Sequence, residues 1–398
     1  MTARECPICG SYQPTLIYRQ RFAVEDDGRR IAGYDVVACE KCGAVYADDI
    51  PSQRALDGYY AAASKYEYLE RCGEPPAALD ESHRQMVEQL LPLLPDRSTR
   101  IVDVGCGNGD VLGLLRRAGF PDVLGVDPAE HSAAAARRLH GVEVVSGGLL
   151  ALPKGVGPAG CVLLSAVLEH VREVADALRG VSELLAADGL LYVEVPDLER
   201  FASPGSLPFQ QFSVEHINYF SAASLTRAAA GAGLGLSKTW PALRHTGSVS
   251  EPVVCSVFRP DRAAPERSAA RDHDGPPAAR RYVALSQARE NDVLERCKRL
   301  TAGGRPLIVW GAGTYMQHLF ARPPLAGADL VAVVDANPRM HGVSMAGHLV
   351  TGPEALAGRP EPILIGAPAY EREIVDMARR VYGLRNELYS VFGPLDPP

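Results

Sequence analysis

The sequence predicts an α/β protein whose largest part is a doubly wound parallel sheet. Three observations support this prediction. Short apolar runs alternate with helical patterns from Ile101 to about Phe258, a glycine-rich turn follows the first of these runs, and a similar strand and turn begin at Pro306. Because 398 residues exceed the usual size of one hydrophobic core, we expect two or three domains.

Composition narrows the function classes. The formal net charge is −7 and the sequence pI is about 5.8, which argues against a protein that binds nucleic acid. The sequence has no apolar run of the roughly 20 residues that a membrane span needs, and the first ten residues, MTARECPICG, lack the apolar core of a signal peptide. We therefore expect a cytoplasmic protein, with no membrane partner, whose 9 cysteines stay reduced.

Four of those cysteines form two pairs. Cys6 and Cys9, and then Cys39 and Cys42, each make a C-x2-C pair that is followed by a glycine. Two thiolates from one tight turn span adjacent corners of a tetrahedron, as Zn²⁺ prefers, and four thiolates leave no open position for a substrate. The spacing predicts a structural zinc module, a short ribbon with strands at 16–19 and 34–38.

The run from Ile101 to Gly109, IVDVGCGNG, ends its strand in a turn of alternating glycines. Asp103 at the strand end can reach a cationic or hydroxyl-bearing group, while Gly105 and Gly107 let the backbone bend sharply and approach a ligand. The next apolar run ends in a second acid, Asp127. This pattern resembles the first motif of class I S-adenosylmethionine-dependent methyltransferases, and the resemblance implies that cofactor, with the ribose of its adenosine at Asp127.

A third strand, 161–165, ends in Ser165, and the run Val167-Leu-Glu-His170-Val follows it. Ligands in open α/β sheets gather at such carboxyl ends, so we place Ser165 in the cofactor site and His170 in the active site. The LEHV run is common among small-molecule methyltransferases of this class. A strand over 190–196 follows a predicted helix from Val174 to Ala186 and a turn at 187–189.

The connector before the glycine-rich strand carries several tyrosines. Tyr66 and Tyr68 belong to this group, and a helical pattern runs from Asp80 to Leu94. Packing between modules explains such tyrosines as well as a place at the mouth of a substrate site does. We keep Tyr66 and Tyr68 as candidate substrate-binding residues.

The segment FSVEHINYFS carries a Glu215-His216 pair just before a helix that Ser221 could cap. With the cysteine module, the core and a C-terminal Rossmann-like domain, this segment resembles the deoxysugar C-3'-methyltransferase family, which acts on nucleotide-linked 4-keto sugars. The resemblance implies that His216 removes the proton α to the ketone and that His170 assists. Proton removal at such a carbon needs a base of near-neutral pKa, which Glu215 could orient.

The chain departs from that family at several positions. Ser213 stands where a tyrosine is usual, a run beginning at His245 replaces an H-G-G-S-L-R-like run, and the lysine expected after the turn 311–313 is absent. We keep His245 as a candidate substrate-binding residue. Methylation of oxygen or nitrogen on another natural-product intermediate therefore stays open, as does a purely structural role for His216.

The C-terminal part resembles a second Rossmann-like unit. The apolar run 306–310 enters the turn Gly311-Ala-Gly313, and a second run ends in Asp335. Met316 stands where a dinucleotide fingerprint has its third glycine, which weakens the case for a nicotinamide cofactor. A nicotinamide-dependent oxidoreductase and an RNA methyltransferase are the alternatives from other classes, and the acidic pI argues against the latter.

These patterns predict five parts and a small-molecule acceptor, a nucleotide-linked sugar being the class that the resemblance implies. The oligomeric state stays open. The predicted parts are a zinc module at 1–50, a helical connector at 51–98, a methyltransferase domain at 99–258, a linker and helix at 259–304, and a C-terminal Rossmann-like domain at 305–398. Within the fourth part, the surface linker is predicted at 259–279 and the helix at 280–300.

Overall fold

The computed structural model describes residues 3–23, 31–62, 77–129, 131–203, 206–246, 249–261 and 270–392. The chain forms two compact units. The first comprises Met1–Tyr18, Asp35–Ser206 and Glu215–Arg281, and the second comprises Arg19–Tyr34, Leu207–Val214 and Tyr282–Pro398. The five-part division stays a prediction.

The strands of the N-terminal half build two sheets. The smaller has the order β1-β2-β3-β9, and the larger has the order β10-β11-β8-β7-β4-β5-β6. The strands are β1 (Pro14–Arg21), β2 (Gly33–Cys39), β3 (Val45–Asp48), β4 (Ile101–Val104), β5 (Val123–Asp127), β6 (Glu143–Ser146), β7 (Ala159–Ser165), β8 (Leu185–Pro196), β9 (Asn218–Tyr219), β10 (Leu234–Thr246) and β11 (Val249–Pro260).

The large sheet confirms the predicted doubly wound core. Strands β4 to β8 pair in parallel, and the β10–β11 hairpin adds to the edge of β8 in antiparallel. The chain leaves β4 in one direction for β5 and returns on its other side as β7, which makes the β4–β7 boundary the topological switch point. Val102, Val162 and Leu164 are fully buried there, as strands covered on both faces require.

Five helices pack on this sheet, namely α2 (Ala77–Leu90), α3 (Asp110–Arg117), α4 (Ser132–His140), α5 (Val174–Leu184) and α6 (Ala222–Gly231). The first helix, α1 (Gln53–Ala62), precedes them in the chain. Ser221 caps α6 as predicted, in a reciprocal capping box with Ser224. The predicted helix to Ala186 and turn at 187–189 need correction, because α5 ends at Leu184 and β8 already begins at Leu185. The register shift at the start of the β7–β8 pair accommodates residues 186–189.

The predicted surface linker at 259–279 is wrong in its second half. Helix α7 (Gly275–Leu300) starts earlier than expected, and Asp272 is only 2% exposed. The Asp272 carboxylate accepts hydrogen bonds from the N–H groups of Asp274 and Gly275 and from the Ser221 hydroxyl. Its own N–H donates to the carbonyl of Cys42. These long-range partners cannot be inferred from local composition.

The second unit contains the predicted second Rossmann-like sheet, with four parallel strands in the order β13-β12-β16-β17. A small hairpin, β14–β15, accompanies it. The elements are β12 (Leu307–Trp310), α8 (Thr314–Phe320), β13 (Leu330–Val334), β14 (Ser344–Met345), β15 (His348–Leu349), β16 (Ile363–Ile365), α9 (Glu371–Asp376) and β17 (Leu388–Ser390).

Within the described residues, none of the helices combines the length and the apolar character that crossing a bilayer requires.

The two glycines that follow the cysteine pairs allow a matched test of packing. Both have positive φ, but a Cβ on Gly43 would lie 1.9 Å from the Asp272 carbonyl oxygen, whereas the nearest atom to a Cβ on Gly10 is 3.9 Å away. Gly10→Ala should lower the free energy of unfolding by about 1–2 kcal/mol, because the alanine must adopt a left-handed backbone conformation. Gly43→Ala should cost on the order of 4 kcal/mol, because backbone must also move. Urea unfolding measures both, and equal losses would contradict the packing of Asp272 on this turn.

Candidate active site

The glycine-rich turn after β4 is held by the acid at the end of β5. Asp127 accepts hydrogen bonds from the N–H of Gly107 at 2.8 Å and from the N–H of Ala129 at 2.9 Å. Gly105 has φ +80, and a Cβ there would lie 2.6 Å from a methyl group of Val167, whereas a Cβ on Gly107 would meet open space. The turn therefore packs against Val167 at Gly105 and leaves space for a ligand at Gly107. We call this space beside Gly107 the cradle.

Asp103 lies beneath this turn and is 4% exposed. Burial, with the like charges of Asp127 and Asp110, raises its pKa to about 7. A carboxylate in such surroundings is stabilised by a cation. The cradle and this acid together fit S-adenosylmethionine, which carries a sulfonium and an α-ammonium group.

At the end of β7, the hydroxyl of Ser165 donates to Glu194 Oε1 at 3.1 Å. The Arg244 guanidinium lies 3.7 Å from the same oxygen, and the Tyr192 hydroxyl donates to Oε2 at 3.3 Å. Sequence reasoning did not assign Glu194 or Arg244. The available signal was a charged residue inside the otherwise apolar run 190–196, which predicts a buried carboxylate that needs partners.

The structure brings the predicted catalytic residues together. The rings of His170 and His216 meet edge to face, with centroids 5.0 Å apart. His170 Nδ1 lies 2.9 Å from the carbonyl oxygen of Glu215. Because a carbonyl only accepts, Nδ1 carries a proton, and Nε2 is an acceptor whenever the ring is neutral. Glu215 thus contributes its main chain to the orientation of His170.

Glu169 is a further member of this cluster that the sequence interpretation left without a role. It is 1% exposed, and its Oε1 lies 3.9 Å from His170 Nε2. Its Oε2 has no hydrogen-bond partner among the described residues. Burial raises the pKa of Glu169 to about 8, so this carboxyl is largely protonated at neutral pH. Glu169, His170 and His216 each place a side-chain nitrogen or oxygen within 4.8 Å of the others.

Of the three predicted substrate-binding residues, the structure describes only His245. His245 lies on β10 next to Arg244, where its Nδ1 is 2.8 Å from the Ser250 hydroxyl and its N–H donates to Ser82. Tyr66 and Tyr68 lie outside the described residues. The role of all three in substrate binding stays a prediction.

The four cysteines of the two pairs converge. Their sulfur atoms all lie within 4.8 Å of one another, with 3.5 Å between Cys6 and Cys42 and 3.6 Å between Cys9 and Cys39. Tetrahedral coordination with bonds of about 2.3 Å places neighbouring sulfurs about 3.8 Å apart. The cluster therefore has the dimensions of a four-thiolate metal site.

The C-terminal glycine turn resembles the first one in its use of an acid. The Asp335 carboxylate accepts hydrogen bonds from the N–H of Ala312 at 2.7 Å and from the N–H of Asn337 at 2.8 Å. Met316 is fully buried, and a Cβ on Gly366 would lie 2.1 Å from its side chain. Gly366 therefore provides the space for Met316 at the position where a dinucleotide fingerprint has glycine.

Comparisons with known proteins identify a methyltransferase domain in this chain. A methyltransferase-domain family matches residues 80–238. The C-methyltransferase NovU of Streptomyces niveus is 28% identical over 413 residues, which cover 94% of this chain and 91% of that protein. A ubiquinone biosynthesis O-methyltransferase of Caulobacter sp. (strain K31) is 35% identical over 105 residues, which cover 25% of this chain and 41% of that protein. A solved structure from Thermotoga maritima, described as a possible histamine N-methyltransferase, is 19% identical over 52% of this chain and 99% of that one, with a TM-score of 0.39.

The doubly wound fold, the acid-anchored glycine turn and the family match define an S-adenosylmethionine-dependent methyltransferase. The chain carries a class I methyltransferase domain.

The buried acid predicts how donor affinity depends on pH. A cationic donor binds the ionised form of Asp103, whose pKa in the free protein is about 7. Donor affinity should therefore rise about tenfold from pH 5.5 to pH 7, a range in which the donor's α-amino group stays protonated. Isothermal titration calorimetry measures the dissociation constant. In Asp103→Asn the binding should be weaker and flat over this range, and a flat profile in the unsubstituted protein would contradict the assignment.

Proposed function

We propose that the protein methylates a carbon next to a ketone in a nucleotide-linked keto-deoxysugar or a related natural-product intermediate. The observation that carries this proposal is the pair of imidazoles, His170 and His216, at the carboxyl edge of the sheet. The similarity to a C-methyltransferase over 94% of the chain supports it, and it suggests a role in antibiotic biosynthesis.

His216 acts as the general base in this proposal. A C–H next to a carbonyl becomes nucleophilic only as an enolate, so the enzyme must remove a proton and stabilise negative charge on the ketone oxygen. Imidazole has a pKa suited to the first task at neutral pH. His170 is the second group of the site, with its Nδ1 proton fixed on the Glu215 carbonyl. It can donate a hydrogen bond to the ketone oxygen through Nε2 only in its protonated, imidazolium form.

S-adenosylmethionine, the methyl donor, supplies an electrophilic methyl group when it is bound. Asp127, Gly107 and Ser165 would hold its adenosine part, and Asp103 would face its cationic end. The contribution of the chain is positioning, because correct placement of the two reactants removes most of the entropic barrier. Recognition of the adenine remains unassigned.

We further propose that Cys6, Cys9, Cys39 and Cys42 hold a structural Zn²⁺. The sulfur separations of 3.5 and 3.6 Å and the two glycine-terminated turns support this metal. Four thiolates leave no coordination position for substrate, so the ion stabilises the turn from which β3 runs toward the active site.

Deuterium exchange distinguishes C-methylation from the alternative, which is methylation of an oxygen or nitrogen atom. In D2O with S-adenosylhomocysteine, the protein should exchange deuterium into the carbon next to the ketone of a nucleotide-linked 4-keto-deoxysugar. Mass spectrometry measures the exchange. Methyl transfer without such exchange, with the product methylated on oxygen or nitrogen, would overturn C-methylation.

His216→Ala should lower turnover by about 10²- to 10⁴-fold, the usual contribution of a general base. The donor dissociation constant should stay within about twofold, because His216 is not in the donor cradle. His348→Ala, on the β14–β15 hairpin of the other unit, is the matched control and should keep full turnover. A near-normal rate in His216→Ala would remove the base assignment.

Cys39→Ser should lower zinc content to below about one ion per ten chains and should lower the thermal midpoint, because one thiolate of a closed site is lost. Elemental analysis and calorimetry measure these changes. Cys297→Ser, a buried thiol of α7, should keep the metal. An unchanged zinc content in Cys39→Ser would contradict the metal assignment.

A further inference from the structure

Arg4 is a buried cation at the start of the chain, two residues before the first metal-binding cysteine. It is 5% exposed, and its guanidinium lies over the Tyr46 ring at 5.1 Å from the centroid. Its N–H donates to the Asp48 carboxylate at 2.8 Å. Burial of a guanidinium is expensive unless its donors find acceptors, so its partners indicate what it is for.

Two of those partners, Ile217 and Asn218, come directly after His216 in the chain. Arg4 Nη2 donates to the carbonyl of Ile217 at 2.8 Å and to Asn218 Oδ1 at 2.6 Å. Arg4 Nη1 donates to the carbonyl of Arg172 at 3.3 Å. Asn218 begins β9, which pairs with β3, so the guanidinium adds side-chain bonds to a main-chain pairing.

Asn218 extends this contact to the other histidine. Its Nδ2 donates to the carbonyls of Leu168 and Val171, both at 2.7 Å, and these two carbonyls flank Glu169 and His170. The N–H of Ile217 also donates to the carbonyl of Glu169 at 2.8 Å. One guanidinium and one amide therefore join the turn that carries His170 to the segment that runs from His216 into β9.

Arg4 is not placed well for stability alone. Its guanidinium is buried and lies against the main chain of a second arginine, Arg172, and burial of a charge costs free energy even when its donors are paired. Apolar residues of similar size are often at least as stabilising as buried ion networks. A positional requirement explains why a planar cation with several donors occupies this site.

We propose that Arg4 is a positioning residue for methyl transfer, which sets the separation of His170 and His216 through Ile217 and Asn218. This inference rests on the proposed function, in which those histidines act on the acceptor. Arg4 itself lies behind the two segments and touches the reaction only through them.

Chemical rescue tests the proposal. In Arg4→Ala, turnover should fall about 100-fold, the usual effect of a misplacement of about 1 Å, while the donor dissociation constant stays within about twofold. Guanidinium ion at millimolar concentration should restore turnover with saturation, and methylammonium should not. Arg179→Ala, on the exposed face of α5, is the control and should keep full turnover.

Arg4→Lys keeps the charge without the planar fork, and it guards against misfolding of the alanine variant. It should keep the thermal midpoint within a few degrees and still lose at least tenfold in turnover. Normal turnover in either variant would overturn the proposal. So would a parallel fall of turnover, donor affinity and thermal midpoint without rescue.

An acceptor-free measurement separates this inference from the proposed function. In the free protein, nitrogen-15 NMR should show the Nδ1 proton of His170 in slow exchange, because it is bonded to Glu215. In Arg4→Lys this signal should weaken or disappear. If it persists unchanged, Arg4 does not position His170. If the signal responds but no keto sugar is methylated, the proposed acceptor is wrong and the positioning role stands.

Discussion

Burial of the Asp103 carboxyl at the switch point of the sheet is the constraint on which the site depends. Burial, together with the like charges of Asp127 and Asp110, raises the pKa of this carboxyl to about 7. Asp127 is already committed to the main chain of the turn. In the proposed site, the cationic end of the donor would stabilise the Asp103 carboxylate, and the turn leaves space beside Gly107 where that donor would enter.

The second half of the site is assembled from segments that are distant in sequence. The turn with Glu169 and His170 follows β7, while His216 comes directly before β9, which pairs with β3 of the cysteine-bearing sheet. Asp272 adds another link, since it joins the Cys42 turn to Ser221 at the start of α6. The cysteine cluster is thus connected by hydrogen bonds to the segment that carries the proposed base. The proposed metal would therefore be linked to the segment that carries His216 through β3 and β9.

Local patterns predicted much of this structure. The glycine spacing after β4, the acids that end β4 and β5, the two cysteine pairs and the Ser221 cap each depend on residues close in sequence, and the structure shows each in the expected place. The alternating strands and helices also predicted both sheets. These features need only backbone geometry and a few neighbouring side chains.

The residues that were missed depend on contacts between distant segments. Glu169 is notable because it is buried beside His170. Arg4 donates to carbonyls more than 160 positions away, and Asp272 is bonded to the Cys42 turn. Composition placed Asp272 in a surface linker, because charge and proline dominate that stretch. A buried partner that lies elsewhere in the chain leaves no local pattern.

A crystal structure with S-adenosylhomocysteine and a nucleotide-linked 4-keto-deoxysugar would test the central claim most directly. We expect the ribose hydroxyls of the donor to contact Asp127 and its amino-acid end to lie near Asp103. The carbon next to the ketone should lie between the donor sulfur and His216. Occupation of the cradle by the protein's own side chains, or a donor bound elsewhere, would contradict it.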